Sequence, residues 1–312
     1  MISCTEFIPS YSELFTYLEE KHGRAEVDAF WKYLFTPDGK GIPLINFVEK
    51  EGIRGCFTYW SGTLSEEASD VTLYLNEKGG WFMCQMHKCP SKGRLLKLKD
   101  EIGITPYHDY CLHCDSYRSA IEKVGLGYIY NFNGVDKAAC SLLIYDPKLF
   151  DGRVIIDDNT EILEIRASEN EYFHKDFHSS LNMGIHYVGE NYGYDAVVEY
   201  LTQYTKNVYN KDISAAKEKG LSVIADRIVD TYTKEKALDA LEISSDDNGI
   251  DVTVKYCPGV KHLRATGRDV SKWYRYTTEV VMDVLASAAG ATFTMVSYDE
   301  ETGAAKYCFK KL

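Results

Sequence analysis

The chain has 312 residues, 45% of them hydrophobic, and a formal net charge of −12, a length that predicts two domains of ordinary size. Its basic residues are scattered rather than gathered into stripes, which argues against nucleic-acid or anionic-membrane partners. No apolar run approaches the roughly 18 residues of a membrane span, and the first residues lack the pattern of a secretory signal, so we expect a cytoplasmic protein.

The first predicted elements are helices. Apolar residues recur at helical spacing on both sides of Gly23, which predicts helix, glycine break and helix over residues 11–35. Residues 70–90 then alternate around Lys78-Gly79-Gly80 and predict a β-hairpin. A helix is predicted from about Pro106 to Val124, and a second hairpin that ends in AACSLLIY follows it.

A linker is predicted over residues 147–170. Its two short apolar runs, Val154-Ile155-Ile156 and Ile162 to Ile165, indicate a small hairpin. The segment has no Pro/Gly/Ser tract of the kind found in flexible tethers.

The same series of elements returns after the linker. Helices are predicted around Gly193, a hairpin around Asn248-Gly249 and a helix from about Ser271 to Ala289, before a closing hairpin that ends in AKYCFKKL. Cys89-Pro90 recurs as Cys257-Pro258, and 257 minus 89 is 168. The offset of 168 also joins other pairs of identical residues: Gly52 with Gly220, Leu73 with Leu241, Leu95 with Leu263, and Cys140 with Cys308.

These observations predict an α+β fold built from two tandem, pseudo-symmetric repeats, each made of antiparallel β-hairpins packed with helices. The first repeat spans residues 1–146, and the second, degenerate repeat spans residues 171–312.

Thiols and imidazoles are concentrated in one segment of the first repeat. Nine cysteines in a chain expected to be cytoplasmic should be reduced thiols rather than a disulfide framework. Strand alternation places His87 and Cys89 on one face and Cys84 on the other, so Cys84 is interpreted as core packing. The full set in this segment is Cys84, His87, Cys89, His108, Cys111, His113 and Cys114.

The predicted helix ranks the remaining candidate ligands by the side of the helix on which each would lie. His108, Cys111 and Asp115 would share one side of it, with Cys114 next to Cys111 at i,i+3 spacing. His113 would point roughly 200° away from Cys111 and is the least favoured partner. A tetrahedral Zn²⁺ site is therefore predicted, although its spacing matches no standard zinc finger; its ligands would be His87, Cys89, Cys111 and Cys114.

Two other interpretations of the same residues stay open. The thiols could be reduced and inert, or Cys111 could be a nucleophile whose pKa is lowered at a helix N-terminus. The second repeat keeps Cys257 and Cys308, so Cys89 and Cys140 could be framework. The residues specific to the first repeat are then the better functional candidates: His87, His108, Cys111, Cys114 and Asp115.

A second histidine group lies near the start of the second repeat. His174 and His178 are spaced i,i+4, with His186 further along and Asp176 nearby. This spacing could hold a metal or supply groups that move protons. The alternative is a capped helix start whose imidazoles make ordinary hydrogen bonds.

At Cys89-Pro90, at YCLHCD (Tyr110 to Asp115) and at AACSLLIY, the chain resembles the L-2-amino-thiazoline-4-carboxylic acid hydrolase family. That family is more distantly similar to 4-vinyl reductase domains, which are thought to bind small molecules. The resemblance covers roughly residues 10–145 and, more faintly, 178–312. It implies hydrolytic opening of a C–N bond in a small cyclic amidine or amide, with Cys89, Cys111 and Asp115 as the matching site positions.

The expected function is therefore a small-molecule hydrolase. A Zn²⁺-bound water or the Cys111 thiolate would attack the substrate, and His108, His174 or His178 would move protons. Asp115 completes the expected catalytic set. The alternatives are a non-catalytic small-molecule binding or sensor protein with a structural zinc, and an iron–sulfur or thiol redox protein.

Overall fold

A computed structural model describes residues 1–34 and 44–312. The α-helices of the described residues are α1 Phe7–His22, α2 Arg24–Leu34, α3 Leu44–Glu51, α4 Ile53–Glu66, α5 Pro90–Ile102, α6 Tyr117–Lys123, α7 Phe177–Tyr192, α8 Tyr194–Val208, α9 Asn210–Lys219, α10 Leu221–Lys234, α11 Pro258–Ala265 and α12 Tyr276–Ala288. The strands are β1 Asp70–Asn76, β2 Trp81–Lys88, β3 Gly127–Asn131, β4 Cys140–Tyr145, β5 Glu161–Arg166, β6 Leu241–Ser245, β7 Gly249–Val254, β8 Ala291–Tyr298 and β9 Ala305–Lys311. Short 3₁₀-helices include Cys4–Glu6 and Tyr110–Ser116.

The chain forms two compact units. The five-stranded unit contains residues 22–101 and 106–174. The four-stranded unit contains residues 1–21, 102–105 and 175–312. The first 21 residues, which the repeat boundaries placed in the first repeat, therefore group with the C-terminal part of the chain.

The sheet of the five-stranded unit has the order β3-β4-β2-β1-β5, and all its pairings are antiparallel. Apolar side chains of α4, β1 and β2 meet in one core, where Trp60 of α4 stacks on Phe82 of β2 with ring centroids 5.5 Å apart. Cys84 is 2% exposed and belongs to this core, as the strand alternation predicted.

The sheet of the four-stranded unit has the order β6-β7-β9-β8, again with antiparallel pairings throughout. The strands β6, β7, β9 and β8 lie side by side in the same order as β1, β2, β4 and β3 of the other sheet. Two antiparallel sheets packed with helices confirm the α+β fold class.

The predicted glycine breaks between helices and the first hairpin predicted in each repeat are confirmed. Gly23 and Gly193 separate helix pairs with φ of 87° and 84°, values that few residues other than glycine adopt readily. Both predicted first hairpins form, and the carboxylate of Asp246 accepts hydrogen bonds from the N–H groups of Asn248 and Gly249 in the second.

Two predicted elements differ from the structure. The helix predicted from Pro106 is instead a 3₁₀-helix followed by the short α6, and an unpredicted helix starts directly at Pro90 and again at Pro258. The linker forms no hairpin: Val154 to Ile156 lie outside strands with exposed side chains, and only β5 forms, pairing with β1. The physical reason is that β1 offers an open strand edge, so β5 completes the sheet rather than folding on its own neighbour.

Among the described residues, no helix has the length and apolar character needed to cross a membrane.

Candidate functional site

Four thiols of the five-stranded unit converge on the end of its central strands. Cys89 directly follows β2, and Cys140 begins β4, where it pairs with Met86. Cys111 and Cys114 lie three residues apart in the 3₁₀-helix Tyr110–Ser116, so they share one edge of it. After burial itself, the neighbouring Cys114 and Cys140 are the main reasons that the pKa of Cys89 is well above its usual value.

These thiols are held in the neutral form. Burial, followed by the neighbouring Cys114, raises the pKa of Cys111 to about 12. Burial likewise raises the pKa of Cys114 to about 12 and that of Cys140 to about 11. The predicted lowering of the Cys111 pKa by a helix N-terminus is therefore wrong, because a single short 3₁₀ segment does not outweigh desolvation.

His113 contacts this thiol group. Its Nε2 lies 3.6 Å from Sγ of Cys114, and its Nδ1 contacts the carbonyl oxygen of Tyr110. Burial lowers the pKa of His113 to about 4, which keeps the imidazole neutral. The α-helical projection made His113 the least favoured partner, but the segment is a 3₁₀-helix, so that projection does not apply.

The other two histidines of this segment, His87 and His108, contact Thr72 and Asp109. The Nε2 of His87 lies 2.8 Å from Oγ1 of Thr72. The side chain of His108 is 65% exposed, and its Nε2 lies 3.6 Å from Asp109. In the described residues, neither histidine joins the thiols in a group whose ligand atoms all lie within 4.8 Å of one another.

Metal-ligand geometry occurs in a different part of the chain. In residues 1–34 and 44–312, the group of His, Cys, Asp or Glu whose ligand atoms all lie within 4.8 Å of one another is Cys4, His178 and Glu235. The predicted Zn²⁺ ligands His87, Cys89, Cys111 and Cys114 are not preassembled in that way. Zinc binding by those four residues stays a prediction.

The Cys4–His178–Glu235 trio lies wholly inside the four-stranded unit. The backbone N–H of Cys4 donates to Oε1 of Glu235 at 2.6 Å, and the other carboxylate oxygen lies 3.0 Å from Nε2 of His178. Tyr274 places its hydroxyl 2.9 Å from the second ring nitrogen of His178. Burial alone would raise the pKa of Glu235, but His178 and the hydrogen bonds to the carboxylate lower it to about 2.

His174 and His178 do not form the predicted i,i+4 pair on one helix. The helix α7 begins at Phe177, so His174 precedes it. His174 bonds through Nδ1 to Glu66 at 2.7 Å, inside the five-stranded unit. The carboxylate of Asp176 contacts Arg268 and His262, a histidine outside the predicted group.

An open pocket of about 580 Å³ lies beside the thiol-bearing 3₁₀-helix. Aromatic side chains of Trp31, Tyr130 and Phe132 form part of its wall. Tyr130 connects the pocket to the thiols, because its hydroxyl donates to Sγ of Cys140 at 3.3 Å. The volume falls within the usual range for small-molecule sites.

Charged residues complete the pocket. Asp115 and Arg118 form a two-point ion pair, with donor–acceptor distances of 2.8 and 3.2 Å. The lining holds three carboxylates, Asp28, Asp115 and Glu122, against the two cationic groups of Lys32 and Arg118. The wall is thus aromatic with a small excess of negative charge.

Of the expected catalytic residues, the structure brings Cys111 and Asp115 onto one 3₁₀-helix, and Asp115 reaches the pocket. His108, His174 and His178 have other partners, as described above. Sequence reasoning did not single out Trp31, Arg118 or Tyr130, although the i,i+3 spacing of Asp115 and Arg118 was a readable signal. It also missed Cys4 and Glu235. These residues are 231 positions apart in the sequence, so no local pattern indicates that they meet.

Comparison of the chain with protein-family models, with curated proteins and with solved structures finds no match in any of the three.

Proposed function

We propose that the five-stranded unit binds a small planar organic cation of the amidinium class in the pocket beside the 3₁₀-helix Tyr110–Ser116. The observation that carries this proposal is the lining itself: the aromatic side chains of Trp31, Tyr130 and Phe132 lie with three carboxylates and two cationic groups. Aromatic faces attract cations through their quadrupole, and they stack on planar groups.

Asp115 is the proposed recognition group. Its two oxygens already accept the parallel N–H donors of the Arg118 guanidinium. An amidinium presents the same fork of two N–H groups, so it would suit the same carboxylate. The ligand would share or replace the contact with Arg118.

Calorimetric titration of the full chain with benzamidine tests this binding, with benzoate as the anionic counterpart of the same size. We expect benzamidine to bind and benzoate not to bind. Asp115→Asn should weaken benzamidine binding about tenfold or more, since a charge-assisted hydrogen bond contributes about 1.5–3 kcal/mol.

Lys123→Gln is the matched control, because Lys123 is exposed on α6 and does not line the pocket. Equal affinity for benzoate, or unchanged benzamidine affinity in Asp115→Asn, would contradict the proposal. Circular dichroism of each variant checks that loss of the ion pair with Arg118 has not unfolded the unit.

A second candidate is hydrolysis of a C–N bond in a bound cyclic amidine. It is favoured by one observation: Cys111 and Asp115, two of the three positions matched by the family resemblance, lie on the same 3₁₀-helix, and Asp115 lines the pocket. Because the thiols are neutral, the nucleophile would be a water activated by a bound metal rather than a free thiolate.

Incubation with 2-aminothiazoline-4-carboxylic acid, with and without added Zn²⁺, tests the hydrolytic step by detection of the ring-opened product. Zinc-dependent turnover that is lost in Cys111→Ser supports the hydrolase. Binding without turnover under both conditions supports a non-catalytic binding or sensor protein.

We also infer that the two sheets derive from one duplicated unit. The strand order is the same in both, and the Cys-Pro junction is built alike. The N–H of Cys89 donates to the carbonyl of Ala138 at 2.7 Å, and that of Cys257 donates to Thr302 at 3.0 Å. An experimental structure in which these corresponding hydrogen bonds are absent would contradict the inference.

A further inference from the structure

We propose that Cys4, His178 and Glu235 form a binding site for a divalent metal ion of the zinc type in the four-stranded unit. Their ligand atoms already lie within 4.8 Å of one another. Tetrahedral zinc with bonds of 2.0–2.3 Å sets its ligand atoms roughly 3.3–3.8 Å apart. Small side-chain shifts would therefore enclose an ion, and this proposal is independent of the amidinium pocket.

The donor set selects the class of metal. Thiolate, imidazole and carboxylate together suit Zn²⁺ or Co²⁺, whereas Mg²⁺ and Ca²⁺ favour sites made of oxygen atoms. The trio is mixed in that way, with one sulfur, one nitrogen and one oxygen donor. Three protein ligands leave the fourth position to a water or to another thiol.

The surroundings of His178 are those of a metal ligand. Tyr274 holds the ring at Nδ1 with a 2.9 Å hydrogen bond, while Nε2 lies 3.0 Å from the carboxylate of Glu235. Ligating histidines usually have such a partner on the second nitrogen, which fixes the ring orientation and the tautomer. The hydroxyl of Tyr274 can donate or accept, so it can support His178 both with and without an ion.

The backbone of Gly259 approaches the side chains of Tyr274 and His178 closely. A Cβ added at Gly259 would lie 2.2 Å from the Tyr274 hydroxyl and 2.8 Å from Nδ1 of His178. Glycine at this first turn of α11 is therefore what allows the Tyr274–His178 pair to sit there. All three ligands are at most 1% exposed, so a bound ion would be shielded from solvent.

Titration of chelator-treated, reduced full chain with Co²⁺ under anaerobic conditions tests the site, because cobalt bound to thiolate gives a charge-transfer band in the near ultraviolet. The titration uses the Cys111→Ser, Cys114→Ser background, which removes thiols of the five-stranded unit as competing ligands. We expect one equivalent of Co²⁺ to produce the band and Zn²⁺ to displace it.

Cys4→Ser should abolish the band, whereas Cys308→Ser, on β9 of the same unit, should leave it unchanged. No band in the background chain, or a band that survives Cys4→Ser, would overturn the proposal. If Cys4→Ser does not fold, Tyr274→Phe provides the measurement, since it keeps all three ligands. A loss of metal affinity of 10- to 100-fold in that variant supports the site, and unchanged affinity overturns it.

Discussion

Glu13 is a carboxylic acid that the four-stranded unit keeps protonated close to neutral pH. Its side chain is 4% exposed on α1. Burial raises its pKa from 4.5 to about 7, in spite of the hydrogen bonds it accepts from Asn207 and Gln203. The pKa of Glu13 is higher in the folded chain than in the unfolded chain. Between about pH 4.5 and 7, the folded chain therefore keeps a proton on Glu13 that the unfolded chain has released.

Glu13→Gln should therefore flatten the pH dependence of stability. In the native chain, the free energy of unfolding should fall as pH rises from 4.5 to 7 by up to about 3 kcal/mol, at 1.36 kcal/mol per pKa unit. The glutamine variant should lack the Glu13 contribution to this fall and be the more stable protein at pH 8; Glu67, whose pKa burial also raises to about 7, contributes equally in both proteins. Urea unfolding at pH 5 and pH 8 measures both; equal slopes with pH in the two proteins would contradict the expectation.

The thiols of the five-stranded unit should react slowly at neutral pH. A rise of the Cys111 pKa to about 12 leaves a thiolate population roughly a thousandfold smaller than that of an ordinary cysteine. A short pulse of iodoacetamide at pH 7.5, followed by peptide mass spectrometry, should label Cys111 and Cys114 only after unfolding in urea. Preferential labelling of Cys111 in the folded chain would instead favour the nucleophile hypothesis.

Sequence reasoning found the thiol group but ranked His113, whose Nε2 lies 3.6 Å from Sγ of Cys114, as its least favoured partner. Strand alternation correctly assigned Cys84 to the core, because a strand fixes which side each residue faces. The choice between His108 and His113 depended on an α-helical angle, and the segment is a 3₁₀-helix. His87 and His178 have partners supplied by other elements, Thr72 and Glu235, which no local spacing indicates.

The turn between α3 and α4 depends on one glycine. Gly52 has φ 60° and ψ −138°, a conformation that residues with a Cβ rarely adopt. A Cβ at this position would meet no atom within 4 Å, so the cost of a substitution lies in the backbone alone.

Gly52→Ala should consequently destabilise the chain by about 1–3 kcal/mol. Gly62→Ala, in the interior of α4 and equally free of steric contact, should stabilise it by about 0.5–1 kcal/mol because alanine is the better helix former. Chemical denaturation of both variants decides the matter. Similar effects of the two substitutions would show that the backbone conformation of Gly52 is not required.

Elements with strong local signals were predictable, and elements defined by their neighbours were not. The Asn248-Gly249 hairpin and the helix pair around Gly193 are encoded in a few adjacent residues. By contrast, β5 forms because the edge of β1 accepts it, and the apolar Val154 to Ile156 stay exposed. The helices α5 and α11 begin at proline, a common first helical residue whose signal was overlooked.

At the scale of the whole molecule, the first 21 residues supply core to a unit whose other residues are 102–105 and 175–312. Apolar side chains in this segment are almost fully covered, among them Ile2, Phe7, Ile8, Leu14, Phe15 and Leu18, none more than 4% exposed. Polar contacts add to this: Glu6 pairs with the buried Arg227, and the hydroxyl of Tyr200 donates to the carbonyl of Ser10 at 2.8 Å.

A fragment of residues 175–312 should for this reason fail to fold cooperatively. Burying each large apolar side chain contributes about 1.5–3 kcal/mol, so the six named above contribute an amount comparable to the entire stability of a domain. Loss of the segment also removes Glu6 from the buried Arg227, whose remaining carboxylate partner is then Asp212 at 3.2 Å. The fragment alone should bind a hydrophobic dye and lack near-ultraviolet circular dichroism. A synthetic peptide of residues 1–21 should restore the dichroism and a cooperative urea transition, whereas the same peptide with Phe15→Asp and Leu18→Asp should not. Cooperative unfolding of the fragment without peptide would show that the N-terminal segment is dispensable to this core.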